Sequence, residues 1–357
     1  MALNLIPGMN ISVVRRLCQV FGSVDMVLKA SAEQLSKVEG VTPTLAKNVA
    51  SFRAEKAVKK EKDLMATHKV DFLTIEDPDY PESLSQIFDP PLALYIKGRI
   101  IPDDKMSVAI VGSRRPTTYG KTVAEDFAEQ LACRGITIVS GLARGIDTKA
   151  HRGALKGGGR TIAVLGSGMD RVYPRENKAL VESIVENGAV ISEFPMGTAP
   201  LQQNFPMRNR IISGLALGTM VVEAGEVSGA LITARLALEQ GREVFAVPGP
   251  INSPVSKGTN GLIKQGASLA DHVEDIFEEL GPHLGPLMAR EARPVRRPSE
   301  KGDESDPVLS ALTGTPQHID ALVEKTGLPA RQLGSRLVHL EMKGMVTKLP
   351  GNMYVRG

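Results

Sequence analysis

The chain has 357 residues, of which 42% are hydrophobic and 23% charged, and its formal net charge is +3 at pH 7. This composition is ordinary for a globular protein and excludes a wholly disordered or collagen-like chain, while the length predicts two or three domains. No apolar run approaches the roughly 20 residues of a membrane helix. The start, MALNLIPGMN, has no basic segment before an apolar one, so we expect no signal peptide, no membrane segment and a cytoplasmic protein.

Residues 1–65 have the apolar spacing of short helices and predict a small SAM-like helical domain. The turn at 38–46 resembles a helix-hairpin-helix turn, in which a Gly-hydrophobic-Gly bend points backbone N–H groups at a DNA phosphate. Thr42 replaces the second glycine, and its Cβ weakens a phosphate-binding role because it resists a tight bend. Lys47 remains within reach of a phosphate, but the pattern favours an interaction or packing module.

A second domain is predicted over residues 66–280. It opens with a proline-rich connector at 66–106, in which 92–96 alternates like a strand that extends the following sheet. Continuous apolar runs then alternate with helical segments, which predicts an α/β fold: an extended Rossmann-like, doubly wound parallel sheet with right-handed crossovers. The predicted strands are 107–111, 136–140, 161–165, 189–192, 219–223 and 243–247. The predicted helices lie near 120–134, 145–156, 176–187, 206–217 and 229–240.

The last part of the chain reads as a linker and a small domain. Residues 281–306 are rich in proline and charge and predict a flexible, solvated tether. Its arginines, which offer a weaker alternative as nucleic-acid contacts, are Arg290, Arg293, Arg296 and Arg297. Residues 307–357 have the order helix, helix, turn, helix, hairpin, which predicts a winged helix. In a DNA-reading version Arg331, Gln332 and Arg336 would face the major groove; protein docking is the alternative.

The two cysteines, Cys18 and Cys133, lie far apart in apolar helical patterns. They predict two buried free thiols in a reducing compartment. No Cys/His cluster has the spacing of metal ligands, so we expect no metal site.

Glycine and arginine recur where the predicted strands end, which is the edge at which doubly wound sheets bind ligands. Glycine lets backbone approach a ligand closely, and a guanidinium group matches a phosphate. The candidate binding residues at these ends are Gly112, Ser113, Arg114, Arg115, Gly141, Arg144, Gly145, Gly166, Gly168, Arg175, Asn177, Ser228 and Gly229.

Residues 204–215 place an aromatic ring beside basic side chains at a predicted helix start, where backbone N–H groups favour an anion. The candidates here are Phe205, Arg208, Asn209 and Arg210. Phosphate-gripping arginines with a ring that stacks on a base suit a nucleotide or a single nucleic-acid strand. The alternative makes Phe205 a core residue and the arginines surface groups. The predicted groove is lined by five guanidinium groups, those of Arg114, Arg144, Arg175, Arg208 and Arg210.

Polar residues near the strand ends raise the alternative of acid–base catalysis. The favoured interpretation is structural: Asp147 caps a helix and pairs with His151, while Glu193 and Glu223 orient arginines and Glu226 has no catalytic role. The chain contains no dinucleotide fingerprint, no GxxxxGK[ST] loop and no GxSxG elbow. We therefore expect no cofactor and no enzymatic activity.

Many short motifs, in order, resemble the DprA/Smf family of DNA-processing proteins of bacterial transformation. They include Gly-Ser-Arg at 112–114, Ser-Gly-Leu-Ala-Arg-Gly-Ile-Asp at 140–147, Tyr-Pro at 173–174 and Phe-Pro-Met-Arg-Asn-Arg at 205–210. The others lie at 150–151, 161–166, 177, 192–195, 211–215, 222–224, 228–229, 245–249 and 260–263. A SAM-like domain before the core and a winged helix after it also resemble a common layout of this family.

The resemblance implies a single-stranded-DNA-binding protein that is not an enzyme and dimerises through its Rossmann-like domain. Such a protein protects incoming strands, overcomes the single-strand-binding protein on the shared DNA and loads the RecA recombinase. The resemblance also implies that Arg114 is the first phosphate contact, beside Gly112 and Ser113. Arg175 is the second basic contact, and Phe205 is the ring on which a base stacks.

Two other functions stay open as alternatives. A nucleotide phosphoribohydrolase has a similar core, but residues 223–233 lack the glycine pair and the glutamate spacing of its PGGxGTxxE signature. A regulator of duplex DNA would use the winged helix, but residues 307–357 carry few basic side chains for that role.

Overall fold

The computed structural model describes residues 1–284, 306–313, 315–342 and 345–356. They form two compact units, of which the first holds a helical region and a nine-stranded sheet and the second a three-stranded sheet with short helices. No helix in these ranges is long and apolar enough to cross a membrane. Most of the predicted linker at 281–306, including its four arginines, lies outside the described residues.

The N-terminal region is helical, as predicted. Its helices are α1 (Ile11–Phe21), α2 (Val24–Lys29), α3 (Ala32–Ser36), α4 (Pro43–Ala50) and α5 (Ala54–His68). The first four are capped by the residues that precede them, whose side chains accept hydrogen bonds from backbone N–H groups of the first turn. These capping residues are Asn10, Ser23, Ser31 and Thr42. Leucine, valine and alanine side chains from these helices form one buried cluster.

The turn before α4 differs from the expectation at Thr42. Gly40 has a φ of 82°, whereas Thr42 has a φ of −70° and caps α4 by accepting from the Leu45 N–H. Only Gly40 therefore occupies the left-handed region that favours glycine. A threonine at position 42 is compatible with this turn because its Cβ meets no backbone restriction.

The large sheet contains the six predicted strands, each within about one residue of its predicted bounds. Its strands are β1 (Asp71–Thr74), β2 (Ala93–Gly98), β3 (Ser107–Gly112), β4 (Thr137–Ser140), β5 (Thr161–Val164), β6 (Gly188–Ser192), β7 (Gly218–Val222), β8 (Glu243–Ala246) and β9 (Ser268–Leu269). Their order is β1-β2-β6-β5-β4-β3-β7-β8-β9. Strand β2 pairs antiparallel with β6 and so extends the sheet as predicted, whereas β1 and β9 were not predicted.

Helices cover both faces of this sheet, which makes it doubly wound. They are α6 (Glu82–Ser85), α7 (Thr118–Cys133), α8 (Ile146–Lys156), α9 (Lys178–Asn187), α10 (Asn204–Leu215), α11 (Gly229–Glu239), α12 (Lys257–Lys264) and α13 (Val273–Leu280). Ile162 and Ile191 pack with α10 and α11, while their neighbours Ala163 and Val190 pack with α5 and α9. Successive strand residues thus face opposite layers, as the pleat requires.

The strand order has a switch point between β3 and β7. From β3 the chain adds β4, β5 and β6 on one side, and it then returns to add β7, β8 and β9 on the other. Gly112 at the end of β3 is paired with Val222 at the end of β7. Doubly wound sheets bind ligands beyond the strand ends at such a switch point. We use the name crevice for the region beyond the ends of β3, β4 and β5.

The second unit has the winged-helix order predicted from the sequence. It comprises α14 (Pro307–Ala311), β10 (Gln317–His318), α15 (Ile319–Thr326), α16 (Ala330–Met342), β11 (Val346–Leu349) and β12 (Met353–Arg356). The short β10, which the sequence did not reveal, pairs with β12. Leu322, Leu333 and Leu337 are fully buried in its core.

The cysteines are free, as expected, but both are half-buried rather than buried. Partial burial raises the pKa of each thiol. Cys133 Sγ lies 3.4 Å from the carbonyl oxygen of Gly157 and can donate to it.

Candidate nucleic-acid interface

The start of α10 is fixed against the end of β5. The Asn204 side chain donates to the carbonyl oxygens of Gly166 and Ala199, both at 3.2 Å. This places the half-buried ring of Phe205 against Gly166, where an added Cβ would lie 2.8 Å from a ring carbon. Gly166 is therefore required for this ring position, and Phe205 lies at the crevice rather than in a core cluster.

Phe205, which is half-buried, lies at the centre of a cluster with two exposed side chains. The guanidinium carbon of Arg114 lies 5.3 Å from the centroid of the Phe205 ring, a cation–π distance. The Tyr173 ring lies 6.0 Å away with its plane tilted by 44°. Tyr173 is 44% exposed and was not among the predicted site residues. An aromatic residue in a strand-end loop that also carries Arg175 was the signal that could have identified it.

The loops after β3 and β4 are tied together. The Ser113 carbonyl accepts from the Ile146 N–H at 3.1 Å, and the Ser113 hydroxyl accepts from the Arg115 N–H at 3.1 Å. Gly145, with a φ of 82°, packs so closely on Ser113 that a side chain would collide with its carbonyl oxygen. Arg114 and Arg115 consequently project from a fixed turn into solvent.

The loops after β4 and β5 are joined at Arg144, Glu176 and Asn177. Arg144 donates to both Glu176 carboxylate oxygens at 2.8 and 2.9 Å, and both side chains are exposed. Hydrogen bonds from Arg144 lower the pKa of Glu176. Asn177 is buried and donates to the Leu142 carbonyl oxygen at 3.0 Å, so it positions backbone, whereas the neighbouring Arg175 is exposed.

Arg208 lies inside the protein, in contrast to the expected position in the groove. It is 4% exposed, and its Nη1 donates to the carbonyl oxygens of Gly141 and Val164 at the ends of β4 and β5. Burial lowers the pKa of Arg208 to about 10 and raises the pKa of Asp147, whose carboxylate lies beside it at Gly141. In this structure its guanidinium group faces protein oxygens because α10 turns this side chain toward the sheet.

Arg210 is likewise engaged within the protein. Its guanidinium group donates to both Glu193 carboxylate oxygens at 2.6 and 2.7 Å and to the Asp89 carbonyl oxygen at 2.8 Å. This confirms that Glu193 orients an arginine. The predicted set of five guanidinium groups at one groove thus divides into three exposed ones, Arg114, Arg144 and Arg175, and two held internally.

The remaining predicted residues connect the same edge of the sheet. The Asn209 side chain donates to the Gly229 carbonyl oxygen at 3.4 Å, which links α10 to the start of α11. The Ser228 hydroxyl caps α11 by accepting from the Ala230 N–H at 3.3 Å, and Gly229 is exposed. An added Cβ on Gly168 would lie 2.6 Å from the Pro195 carbonyl oxygen, so that loop also packs tightly.

The expected pair between Asp147 and His151 is wrong. Asp147 accepts from the Ala143 N–H at 3.1 Å, and His151 Nδ1 lies 2.7 Å from the hydroxyl of Thr161. Because that hydroxyl donates to the Ile138 carbonyl oxygen, the imidazole carries its proton on Nδ1. Burial, reinforced by Arg208, lowers the pKa of His151 to about 3, so the ring is neutral.

One group of possible metal ligands lies elsewhere. Asp271, His272 and Asp275 come together at the start of α13, although the sequence indicated no such cluster. Their arrangement is explained by local bonds: Asp275 accepts from the backbone N–H groups of the other two, and His272 Nδ1 lies 2.9 Å from Asp271.

Fold and site together define an extended Rossmann-like α/β protein with a basic, aromatic crevice at its switch point, in a chain that also carries a SAM-like helical region and a winged helix. Residues 71–281 match the family model of the DNA recombination-mediator protein A. Residues 2–54 match a SAM-like helix-hairpin-helix tandem, and residues 292–352 match the DprA winged helix domain. The chain therefore belongs to the DNA recombination-mediator protein A family, which confirms the resemblance to DprA/Smf proteins.

Relatives are similar over most of the chain. Protein Smf of Escherichia coli is 44% identical over 291 residues, which cover 78% of this chain and 75% of that protein. The X-ray structure of DNA processing protein A from Streptococcus pneumoniae is 37% identical with a TM-score of 0.68, covering 77% of this chain and 95% of that one. A structure of DNA processing protein A from Helicobacter pylori is described for its single-stranded DNA binding mode. It is 32% identical with a TM-score of 0.54, and the match covers 60% of this chain and 97% of that one.

Proposed function

We propose that this chain binds single-stranded DNA in the crevice beyond the ends of β3, β4 and β5. The observation that carries the proposal is the cluster of Arg114, Phe205 and Tyr173, which joins a cation to two accessible rings. Rings that stack on bases and cations that contact phosphates give binding that tolerates any sequence. The single-strand binding mode named for the Helicobacter pylori relative supports the same assignment.

Each predicted contact has a distinct part in this proposal. Arg114, Arg115 and Arg175 contact phosphates, and a base stacks on Phe205 after the Arg114 side chain swings off the ring. Arg144 also contacts a phosphate once its hydrogen bonds to Glu176 are broken. The other predicted residues hold the protein backbone beneath the bound DNA strand. They are the buried Arg208, Asn209 and Asn177, together with Arg210 and the tightly packed glycines.

We extend the proposal to the role implied by the family. The protein protects incoming single strands in the cytoplasm, acts on strands shared with single-strand-binding protein, and loads RecA during transformation or homologous recombination. It acts as a homodimer and without a chemical step of its own. Asp147 and His151 support the last point, because both are buried and hydrogen-bonded to the core instead of being open to a substrate.

The test is fluorescence anisotropy with labelled single-stranded and duplex oligonucleotides across a salt series. We expect the wild type to prefer the single strand. Arg114→Ala should weaken that binding and reduce the slope of log affinity against log salt by about 0.7. Phe205→Ala should cost about 1–3 kcal/mol of binding free energy.

The matched control is Arg99→Ala. Arg99 is exposed, but its N–H bonds to Gly188 at the first residue of β6, on the opposite edge of the sheet. It should leave affinity and salt slope unchanged. Equal binding of duplex, or single-strand binding indifferent to Arg114 and Phe205, would contradict the proposal and make nucleotide hydrolysis the next activity to test.

A further inference from the structure

Helix α5 has an exposed basic face and lies almost wholly between two of the matched domains. The helical match ends at residue 54 and the core match begins at residue 71. The intervening helix and its N-terminal flank expose a set of cations: Arg53, Lys56, Lys59, Lys60 and Lys62. Its exposed acids are Glu55 and Asp63. This short segment is thus strongly basic in a chain whose whole net charge is only +3.

The basic side chains are available. Lys56, Lys59 and Lys60 recur at helical spacing and share a surface with Asp63 and Thr67. Within the part of the chain that the structure describes, these three lysines form no ion pair shorter than 4 Å. Closely spaced like charges repel one another, so this face favours a polyanion.

The opposite face of α5 is anchored to the loop that borders the crevice. Glu61 is 5% exposed, and its carboxylate accepts from the Met196 N–H at 2.8 Å. Met65, one turn further, packs in the core cluster that includes Leu165 and Met169. A buried carboxylate on backbone and a buried apolar side chain hold the helix at a fixed position on the core.

The anchored loop also contacts the proposed DNA site. The Gly168 N–H donates to the Thr198 carbonyl oxygen at 2.9 Å, and the Gly197 N–H donates to Asp170 at 2.7 Å. Gly168 belongs to the strand-end residues of the crevice. One loop, 194–198, therefore joins the strand-end backbone on one side and α5 on the other.

We propose that the exposed face of α5 is a second contact for the backbone of the same single strand, which it binds after the strand leaves the crevice. The inference rests on the proposed function and adds a site to it. Charge complementarity identifies the occupant, because a flexible chain of phosphates matches a row of lysines without needing base recognition. The crevice holds bases and phosphates, whereas α5 holds phosphates only.

The test compares oligothymidylates of about 6 and about 30 nucleotides, the shorter one sized for a single site. The variant carries Lys56→Gln, Lys59→Gln and Lys60→Gln in the full chain. We expect about tenfold weaker binding of the long strand, with a salt slope reduced by about two, since three phosphate contacts are lost. Binding of the short strand should not change.

Two control variants are needed. One tests whether the position of the lysines matters or only the total charge, and the other tests whether the positive charge on α5 is what binds DNA. Lys29→Gln, Lys105→Gln and Lys264→Gln together remove the same charge at exposed positions outside α5 and should have no effect. Replacing Lys56, Lys59 and Lys60 by arginine keeps the charge and should retain affinity for the long strand.

The outcomes distinguish the inference from the function on which it rests. Unchanged long-strand binding by the glutamine variant overturns the α5 site alone and would direct attention to an acidic protein partner. Equal losses for short and long strands, or equal losses in the control triple variant, also overturn it. Failure of the wild type to bind either strand overturns both the site and the proposed function.

Discussion

His151 is a neutral imidazole in the interior, and its environment makes folding depend on pH. Its pKa is lowered to about 3, whereas an unfolded histidine titrates near 6.5. Below pH 6.5 the unfolded chain therefore binds more protons than the folded one, so stability is full above that pH and falls as the pH decreases. We expect the free energy of unfolding to fall by about 2 kcal/mol between pH 7 and pH 5 through this group. Urea denaturation at several pH values measures it.

The variant His151→Asn isolates this effect, because its amide can still donate to Thr161. Its pH dependence should be flatter than that of the wild type, whatever its absolute stability. Asp147, whose pKa burial raises, titrates in both proteins and cancels in the comparison. His68→Asn, at an exposed position, should change nothing. Parallel pH profiles for wild type and His151→Asn would contradict the assignment.

If Arg144 contacts DNA as proposed, Glu176 competes with DNA phosphates for it. The pair is fully exposed, so it adds little to stability, and breaking it costs little. Glu176→Gln should therefore leave the melting temperature nearly unchanged, tighten single-strand binding a few-fold and increase the salt slope by about 0.7. Anisotropy and thermal denaturation measure these quantities. If Glu176→Gln has no effect on binding while Arg144→Ala also has none, Arg144 is not a phosphate contact.

At the scale of elements, α10 packs against the end of β5, where the Phe205 ring contacts Gly166 in the loop that follows the strand. Gly166→Ala would place a methyl group 2.8 Å from the ring, so the ring or the strand end must shift. We expect a loss of about 1–3 kcal/mol of stability together with weaker single-strand binding. The control is Gly261→Ala in α12, where an added Cβ meets nothing within 4 Å. Denaturation and anisotropy on both variants test this; equal effects would exclude the packing explanation.

The helices and strands were largely predictable from the sequence. Apolar runs that alternate with segments of helical spacing are compatible with few folds other than a parallel α/β sheet. Strand β9 has only two residues, which is too short to show the alternation of a strand. Strand β1 follows α5 almost directly, so no turn residues separate it from the helix in the sequence pattern. The positions of Arg208 and Arg210 were not predictable from composition. Both arginines lie in the middle of α10. Only tertiary packing decides that Arg208 turns toward the carbonyl oxygens of Gly141 and Val164, and Arg210 toward Glu193. The sequence therefore predicted which residues lie at the carboxyl ends of the strands, but not which of their side chains face solvent.

At the scale of the whole molecule, the first unit contains all of the proposed single-strand contacts. In the winged helix, Arg336 donates to the buried carboxylate of Asp306 at 2.7 Å, although its own side chain is 53% exposed. Arg331 and Gln332, the other members of the predicted reading set, are exposed as well. Arg336 is thus tied to Asp306 at the start of α14, and its contact with a major groove stays a prediction.

If single-strand binding belongs to the crevice, removing the exposed polar groups of α16 should not affect it. The double variant Arg331→Ala, Gln332→Ala should bind a labelled single strand with wild-type affinity and salt slope, whereas Arg114→Ala should weaken the affinity and reduce the slope. Both substitutions lie at exposed helical positions where alanine is favourable, so folding should be preserved. Anisotropy with single-stranded and duplex probes measures both. A loss of single-strand affinity in the double variant would mean that the winged helix shares the strand, and a loss confined to duplex would identify it as a separate duplex-binding module.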